Sequence, residues 1–270
     1  MPLGLTTKGR YWAGVGMLLC CLGGLSGCAT GTLGNGSDPI SSAQETDVRR
    51  RARIRLELAA NYFESGQTSV ALDEAKQALV TDSSYADAYN LLGLIHMRLN
   101  DYAQADASFQ RALDLRPADS GVLHNRGWLL CVQQRYPQAN EIFLQVLTNP
   151  AYMARSKTLM AQGLCHARAG DDVAAEQALM RSYELDAGNP VVAYHLSSLL
   201  FKRKELVRAQ FYIRRLNNSD LSNAETLWLG VKVERALGNM VAMKQLADQL
   251  RKRFPDSAEQ ALYDKGRFDE

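Results

Sequence analysis

The clearest structural signal in this chain is the stretch ADAYNLLGLIHMRLNDYAQADASFQRALDLRPAD, residues 86–119. Its apolar residues recur at helical spacing, and no proline interrupts them before Pro117, so two consecutive helices are predicted. Gly93 and Ala105 are small because the paired helices cross closely there, and Phe109 fills the gap toward the next pair. Pro117 ends the second helix because it has no backbone donor.

This pattern returns along the chain at a fixed period, so that Gly127 and Phe143 repeat Gly93 and Phe109 one unit later. Copies in nearly the same phase lie near residues 52–85, 86–119, 120–153, 156–189, 190–223 and 223–256. A helical pair of this length is the tetratricopeptide repeat (TPR), whose units stack because none buries its apolar face alone. The sequence therefore predicts an all-α fold over residues 46–270, a right-handed TPR superhelix of six helical hairpins with a short carboxy-terminal cap.

Composition and charge exclude two classes of protein. The chain holds 46% hydrophobic and 22% charged residues, which excludes a disordered chain. Its net charge of +2 comes from Lys8 and Arg10, and the remaining basic residues equal the 29 acidic ones, so no nucleic-acid partner is expected. One run, RRRARIR at residues 49–55, is strongly basic and is either a solvated helix start or a contact with anionic lipid.

Residues 1–27 have the zones of an export signal. Lys8 and Arg10 form a short positive region, and residues 11–25 form an apolar stretch. That stretch is short and rich in glycine compared with the roughly 20 apolar residues of a transmembrane helix. Residues 1–27 are therefore predicted to be a lipoprotein signal peptide.

The end of this signal, LSGC at residues 25–28, resembles the bacterial lipobox. By that resemblance Cys28 is the lipidated residue and the mature amino terminus, and its acyl chains bind the bilayer. The alternative is an ordinary signal peptide with a chance cysteine. Residue 29 is alanine and not aspartate, which in lipoproteins of this kind implies the periplasmic face of the outer membrane. Residues 28–45, rich in glycine, serine and threonine, are predicted to be a lipidated flexible tether.

Two further cysteines, Cys131 and Cys165, are one repeat period apart and late in the first helices of adjacent repeats. Adjacent first helices run side by side, and the periplasm is oxidising, so a disulfide is predicted. The two extra residues at 154–155 put the cysteines two positions out of phase, which counts against the pairing. The alternative is a pair of free, buried thiols.

Catalytic and metal-binding motifs are not found in the sequence. The four histidines fall on first helices of four different repeats, too far apart to share a metal: His96, His124, His166 and His195. The protein is therefore expected not to be an enzyme and to bind neither a cofactor nor a small-molecule substrate. A helical lytic enzyme would need a catalytic glutamate in a closed cleft, and no motif marks one.

A partner-binding groove is predicted from the positions that face inward in TPR arrays, namely two, five, nine, twelve and thirteen of each first helix. Arg98 and Lys202 are polar residues among those positions. An apolar lining with a polar rim suits an amphipathic helix or an extended apolar peptide, although some of these side chains could instead only pack between helices. The predicted groove residues are Asn90, Leu94, Met97, His124, Trp128, Met160, Leu164, Tyr194 and Phe201.

Leu56 and Ala60 occupy the first-repeat places where some TPR domains grip a carboxylate tail with lysine and asparagine. Their apolar character argues against a receptor for chaperone tails.

The combination of lipobox, tether and six repeats resembles the PilF/PilW family of type IV pilus biogenesis lipoproteins. Segments such as ALDEAKQAL at residues 71–79 and HNRGWLLC at residues 124–131 look like that family in particular. The resemblance implies a pilotin, whose partner is the type IV pilus secretin, a ring-shaped outer-membrane channel that pilotins help to localise and multimerise. The alternative is a TPR lipoprotein adaptor for another envelope-assembly or peptidoglycan machinery.

Overall fold

The computed structural model describes residues 45–269, and this part of the chain consists of helices and loops without a strand. Thirteen helices follow one another in this part of the chain. They are α1 (Asp47–Glu64), α2 (Thr68–Thr81), α3 (Ala86–Arg98), α4 (Tyr102–Leu115), α5 (Ser120–Val132), α6 (Tyr136–Thr148), α7 (Arg155–Arg168), α8 (Asp172–Leu185), α9 (Pro190–Lys202), α10 (Leu206–Asn217), α11 (Ala224–Ala236), α12 (Met240–Arg253) and α13 (Ala258–Asp264).

Helices α1–α12 form six antiparallel hairpins, and each hairpin also packs against the next one in the chain. Each first helix is followed by a residue with a left-handed backbone, which helps to reverse the chain within a few residues. Glycine takes this conformation at three of the turns, and the other three turns use asparagine, glutamine and lysine. These residues are Gly66, Asn100, Gln134, Gly170, Lys204 and Gly238.

Close helix crossings set the core of each hairpin. A Cβ atom added to Gly93 would lie 2.5 Å from the ring of Phe109, and one added to Gly127 would lie 2.8 Å from the ring of Phe143. Both rings are fully buried. The small and large residues that mark the repeat in the sequence therefore contact each other directly within a hairpin, and Phe109 also joins a core cluster with residues of α5.

The predicted all-α superhelix of six hairpins with a carboxy-terminal cap is confirmed. In the cap, α13 packs against α11 and α12, and the ring of Phe268 stacks on Trp228 with the ring centroids 5.4 Å apart. The amino-terminal helix differs from the expected repeat, because α1 begins at Asp47 and not near residue 52. The hydroxyl of Thr46 caps it by accepting a hydrogen bond from the backbone of Arg49.

The basic run at residues 49–55 lies on α1, and four of its five arginines make ion pairs. Arg49 binds Asp82 at 2.6 Å, Arg53 binds Glu57 at 2.7 Å, and Arg55 binds Glu74 at 2.8 Å. These acidic partners neutralise most of the run, which favours a solvated helix start over a contact with lipid.

The predicted signal peptide, Cys28 and most of the tether lie outside the described residues, and they stay predictions. Within residues 45–269, no helix combines the length and apolar character needed to cross a membrane.

Candidate functional site

A cavity of about 290 Å³ opens between α3, α5 and α7, the first helices of three consecutive hairpins. Five of the nine predicted groove residues line it, which places them on one surface. The lining comprises Leu94, His124, Asn125, Trp128, Lys157, Met160, Ala161 and Leu164. Apolar side chains dominate, as expected for a site that binds a partner's apolar side chain.

The apolar walls of this cavity rest on the buried core. Trp128 packs on the cluster that contains Phe143, and Leu94 packs on the cluster that contains Phe109. Met160 and Leu164 pack on a third cluster around Leu196. Each of these side chains thus has one side held by the core and another side at the cavity, so the lining is preorganised for binding.

The polar wall of the cavity is a buried histidine. The Nδ1 atom of His124 lies 2.9 Å from Oγ1 of Thr158, on the neighbouring helix α7. Burial lowers the pKa of His124 to about 4, and the positive charge of Lys157 acts in the same direction. The imidazole is therefore neutral at neutral pH and belongs to the wall of the site, not to its solvated rim.

Two asparagines hold the first and second helices of the site together. The side-chain amide of Asn125 on α5 donates a hydrogen bond of 2.9 Å to the Oδ1 atom of Asn90 on α3. The predicted groove residue Asn90 therefore supports the cavity through Asn125 and is not among its lining residues.

A disulfide joins Cys131 on α5 to Cys165 on α7, with the two Cα atoms 5.7 Å apart. Both cysteines are buried. The bond connects the two helices that carry seven of the eight lining residues. It therefore restrains the width of the cavity directly.

The three remaining predicted groove residues lie elsewhere. Tyr194 lines a second cavity of about 270 Å³ between α9 and α11, together with His195 and Glu225. Burial raises the pKa of Tyr194, and a hydrogen bond to Glu225 adds to that effect, whereas burial lowers the pKa of His195. Met97 and Phe201 are half-buried and pack against core clusters, so the structure gives them a packing role.

A wider depression of about 560 Å³ lies on the first hairpin, next to Arg51, Ile54 and Leu58. None of the predicted groove residues lines it, and its lining combines arginines with a few exposed apolar side chains. The cavity between α3, α5 and α7 is therefore the stronger candidate for a partner site.

Two cations at this cavity were not among the predicted site residues. Lys157 lines it, and the guanidinium carbon of Arg168 lies 4.6 Å above the centre of the Trp128 ring. Such a contact attracts a cation to the ring face. Lys157 and Arg168 stand at inward positions two and thirteen of the fourth first helix, so the positional rule that selected the other groove residues could have found them.

Within residues 45–269, no group of three or more histidine, cysteine, aspartate or glutamate side chains could hold a metal ion. The four histidines lie on the separate helices α3, α5, α7 and α9. The arrangement of the cavity offers a surface for binding.

The stacked hairpins and their inner cavity define a TPR scaffold, a class of protein that binds protein partners. The family model for the tetratricopeptide repeat matches residues 86–119. The chain is 28% identical to the type IV pilus assembly protein PilF of Pseudomonas aeruginosa over 236 residues, which are 87% of this chain and 92% of PilF.

Two solved structures agree with that likeness. The crystal structure of PilW, described as a widely conserved type IV pilus biogenesis factor, has a TM-score of 0.71 and 27% identity, over 79% of this chain and 99% of PilW. A structure of Pseudomonas aeruginosa PilF has a TM-score of 0.70 and 26% identity, over 81% of this chain and 99% of that chain. The resemblance to the PilF/PilW family predicted from the sequence is therefore confirmed.

Proposed function

We propose that this protein is a pilotin, a lipid-anchored scaffold that helps the type IV pilus secretin to localise and multimerise in the outer membrane. The observation that carries the proposal is the similarity to PilF and PilW, which extends over most of this chain and nearly all of theirs. Both relatives are named for type IV pilus assembly or biogenesis.

The groove gives this role a physical basis. A secretin subunit would insert an apolar side chain into the cavity beside Trp128 and Leu164, whose walls are already held by the core. Binding of this kind needs no bond to be made or broken, which fits a scaffold.

The proposal includes an anchor at Cys28. Acyl chains on that cysteine would hold the protein at the periplasmic face of the outer membrane. Because a tethered partner is present at a high effective concentration, secretin subunits would be concentrated where the ring assembles.

Deletion of the gene tests the proposal. In a strain that lacks this protein, we expect heat-stable secretin multimers in outer membranes to fall while secretin monomers remain. Complementation with the wild-type chain should restore the multimers. Unchanged multimers in the deletion strain would remove the pilotin role, and an adaptor for other envelope machinery would then be the better explanation.

Trp128→Ala should weaken secretin binding by about 2 kcal/mol, or roughly thirtyfold in Kd, because a buried aromatic anchor contributes that much in protein interfaces. Titration of the secretin with purified wild-type and variant chains measures the change. The matched control is Phe211→Ala, since Phe211 is 58% exposed and lies on α10, outside the groove. Equal affinity of wild type and Trp128→Ala, with helicity intact, would show that Trp128 only packs.

A further inference from the structure

Two positive side chains at the cavity have no acidic partner among residues 45–269. Lys157 lines the cavity, and Arg168 covers the ring of Trp128. Neither side chain makes an ion pair or a hydrogen bond with another described residue. None of the eight residues that line the cavity is acidic. The positive charge at this site is therefore not neutralised from within the described part of the chain.

In the next repeat, the cation at the position of Arg168 is neutralised by an acidic side chain. Lys202 stands one repeat period after Arg168, and its Nζ atom pairs with Asp172 of the preceding repeat at 2.9 Å. For Arg168, the corresponding place in its own preceding repeat is held by Tyr136, which has no charge at neutral pH. Within residues 45–269, only Lys202 among the cations at this repeat position pairs with an acid. Arg168 beside the cavity has no acidic partner and contacts an aromatic ring, as Arg98 and Arg235 do at the same position of other repeats.

The start of α7 adds to the positive field. Its first turn contains Arg155 and Lys157 and no acidic residue. Arg155 is occupied, since it donates hydrogen bonds to the backbone carbonyls of Leu147 and Asn149 at 2.7 and 3.2 Å. Lys157 is exposed, and it adds to the positive end of the helix dipole at the mouth of the cavity.

We propose that the groove binds a segment of a protein partner in which a bulky apolar residue is flanked on both sides by acidic residues. The apolar side chain enters the cavity beside Trp128 and Leu164, and the two carboxylates bind Lys157 and Arg168. Charge complementarity selects this partner over an uncharged apolar peptide, because a rim of one sign steers partners of the opposite sign.

The distance between the cations sets the spacing of the acids. Lys157 and Arg168 lie near opposite ends of α7, so about 16 Å of helix axis separates them at roughly 1.5 Å per residue. An extended segment spans that length in about five residues. The acidic residues are therefore expected two or three positions before and after the apolar one. A carboxylate at a chain terminus could reach only one cation, which is why acidic side chains are proposed.

Random peptides displayed on phage test this inference even though the partner segment is unidentified. They are selected on the full chain, purified in detergent and immobilised through a carboxy-terminal tag. We expect the wild-type chain to enrich peptides with a bulky apolar residue between two acidic ones. The double variant Lys157→Glu/Arg168→Glu should instead enrich lysine or arginine at those flanking positions. A peptide selected on the wild type should bind the double variant about tenfold more weakly.

The matched control is Arg181→Glu/Lys244→Glu. Both side chains are exposed, lie on the second helices α8 and α12, and make no ion pair with a described residue. This control should select the same acidic peptides as the wild type with the same affinity. Circular dichroism before the selection verifies that each variant is folded.

Selection of apolar peptides without flanking acids would overturn the inference, and so would identical peptides from the wild type and Lys157→Glu/Arg168→Glu. The inference rests on the proposed function, in which the groove is the partner site. The recognition rule and the pilotin role can nevertheless be rejected independently of each other. Acidic peptides selected as expected, together with unchanged secretin multimers in the deletion strain, would support this recognition rule and reject the pilotin role.

Discussion

Phe109→Ala should lower the free energy of unfolding by about 3–5 kcal/mol, the range for removal of a fully buried aromatic ring. The ring is completely buried between Gly93 of its own hairpin and a cluster shared with α5. Its removal leaves a cavity in two interfaces at once, within the hairpin and toward the next one. Since repeats are stabilised by their neighbours, the loss extends beyond one hairpin. Urea unfolding of residues 45–270, followed by far-ultraviolet circular dichroism, measures the change.

Phe211→Ala is the matched control for that measurement, because the same side chain is removed from a site that is 58% exposed. Its unfolding midpoint should stay close to that of the wild type, as for most exposed substitutions. A midpoint for Phe109→Ala as high as that of Phe211→Ala would contradict the packing described for the repeat.

Loss of the disulfide should lower the free energy of unfolding by about 3–4 kcal/mol, because the bond removes much of the entropy of the unfolded chain. Cys131 and Cys165 are separated by 34 positions in the sequence, so the loop that the bond closes is a long one. Cys131→Ala/Cys165→Ala fills the site with small apolar side chains and so avoids a buried, unpaired thiol. Urea unfolding of this double variant against the oxidised wild type gives the difference.

A reducing agent provides the internal control for the disulfide. It should lower the unfolding midpoint of the wild type and leave that of Cys131→Ala/Cys165→Ala unchanged. Thiol titration of unreduced residues 45–270 should find no free thiol. Two titratable thiols, or a wild-type midpoint insensitive to reductant, would contradict the bond.

The fold could be predicted from the sequence because its signals are local. The glycine, alanine and phenylalanine of each repeat lie on two neighbouring helices and contact each other there, as Gly93 and Phe109 do. The regular period of the repeat then determines how the hairpins follow one another. The longer first helix was missed, because its start depends on Thr46 and on ion pairs such as Arg53 with Glu45 and Glu57.

The two-residue insertion before α7 counts in favour of the disulfide, contrary to the expectation from the sequence. In side-by-side parallel helices, residues at the same repeat position point in the same direction and not toward each other. An offset of two residues turns a side chain by about 200° at roughly 3.6 residues per turn, which brings it to the opposite face of its helix. Cys131 and Cys165 have that offset, and their Cα atoms are 5.7 Å apart.

The site could be predicted only in part, because its residues come from three hairpins. Repeat positions identified Leu94, Trp128 and Leu164 as inward-facing, and they line one cavity. The same positions also selected Met97 and Phe201, which pack against the core. Whether an inward position lines the cavity or packs against the core depends on which neighbouring side chains cover it. A repeat pattern in the sequence does not specify those neighbours. The repeat position of Arg168 marks it as inward-facing, but its contact with the ring of Trp128 depends on how α5 and α7 pack.

Photo-crosslinking in living cells tests whether the inner surface of the stacked hairpins binds the secretin. A photoreactive phenylalanine, p-benzoylphenylalanine, replaces Leu164 in the cavity or, as a control, Val207, which is 71% exposed on α10. We expect the variant at Leu164 to form a covalent adduct with the secretin under illumination, and the variant at Val207 to form none. A secretin adduct from Val207 without one from Leu164 would show that the secretin does not bind in this cavity.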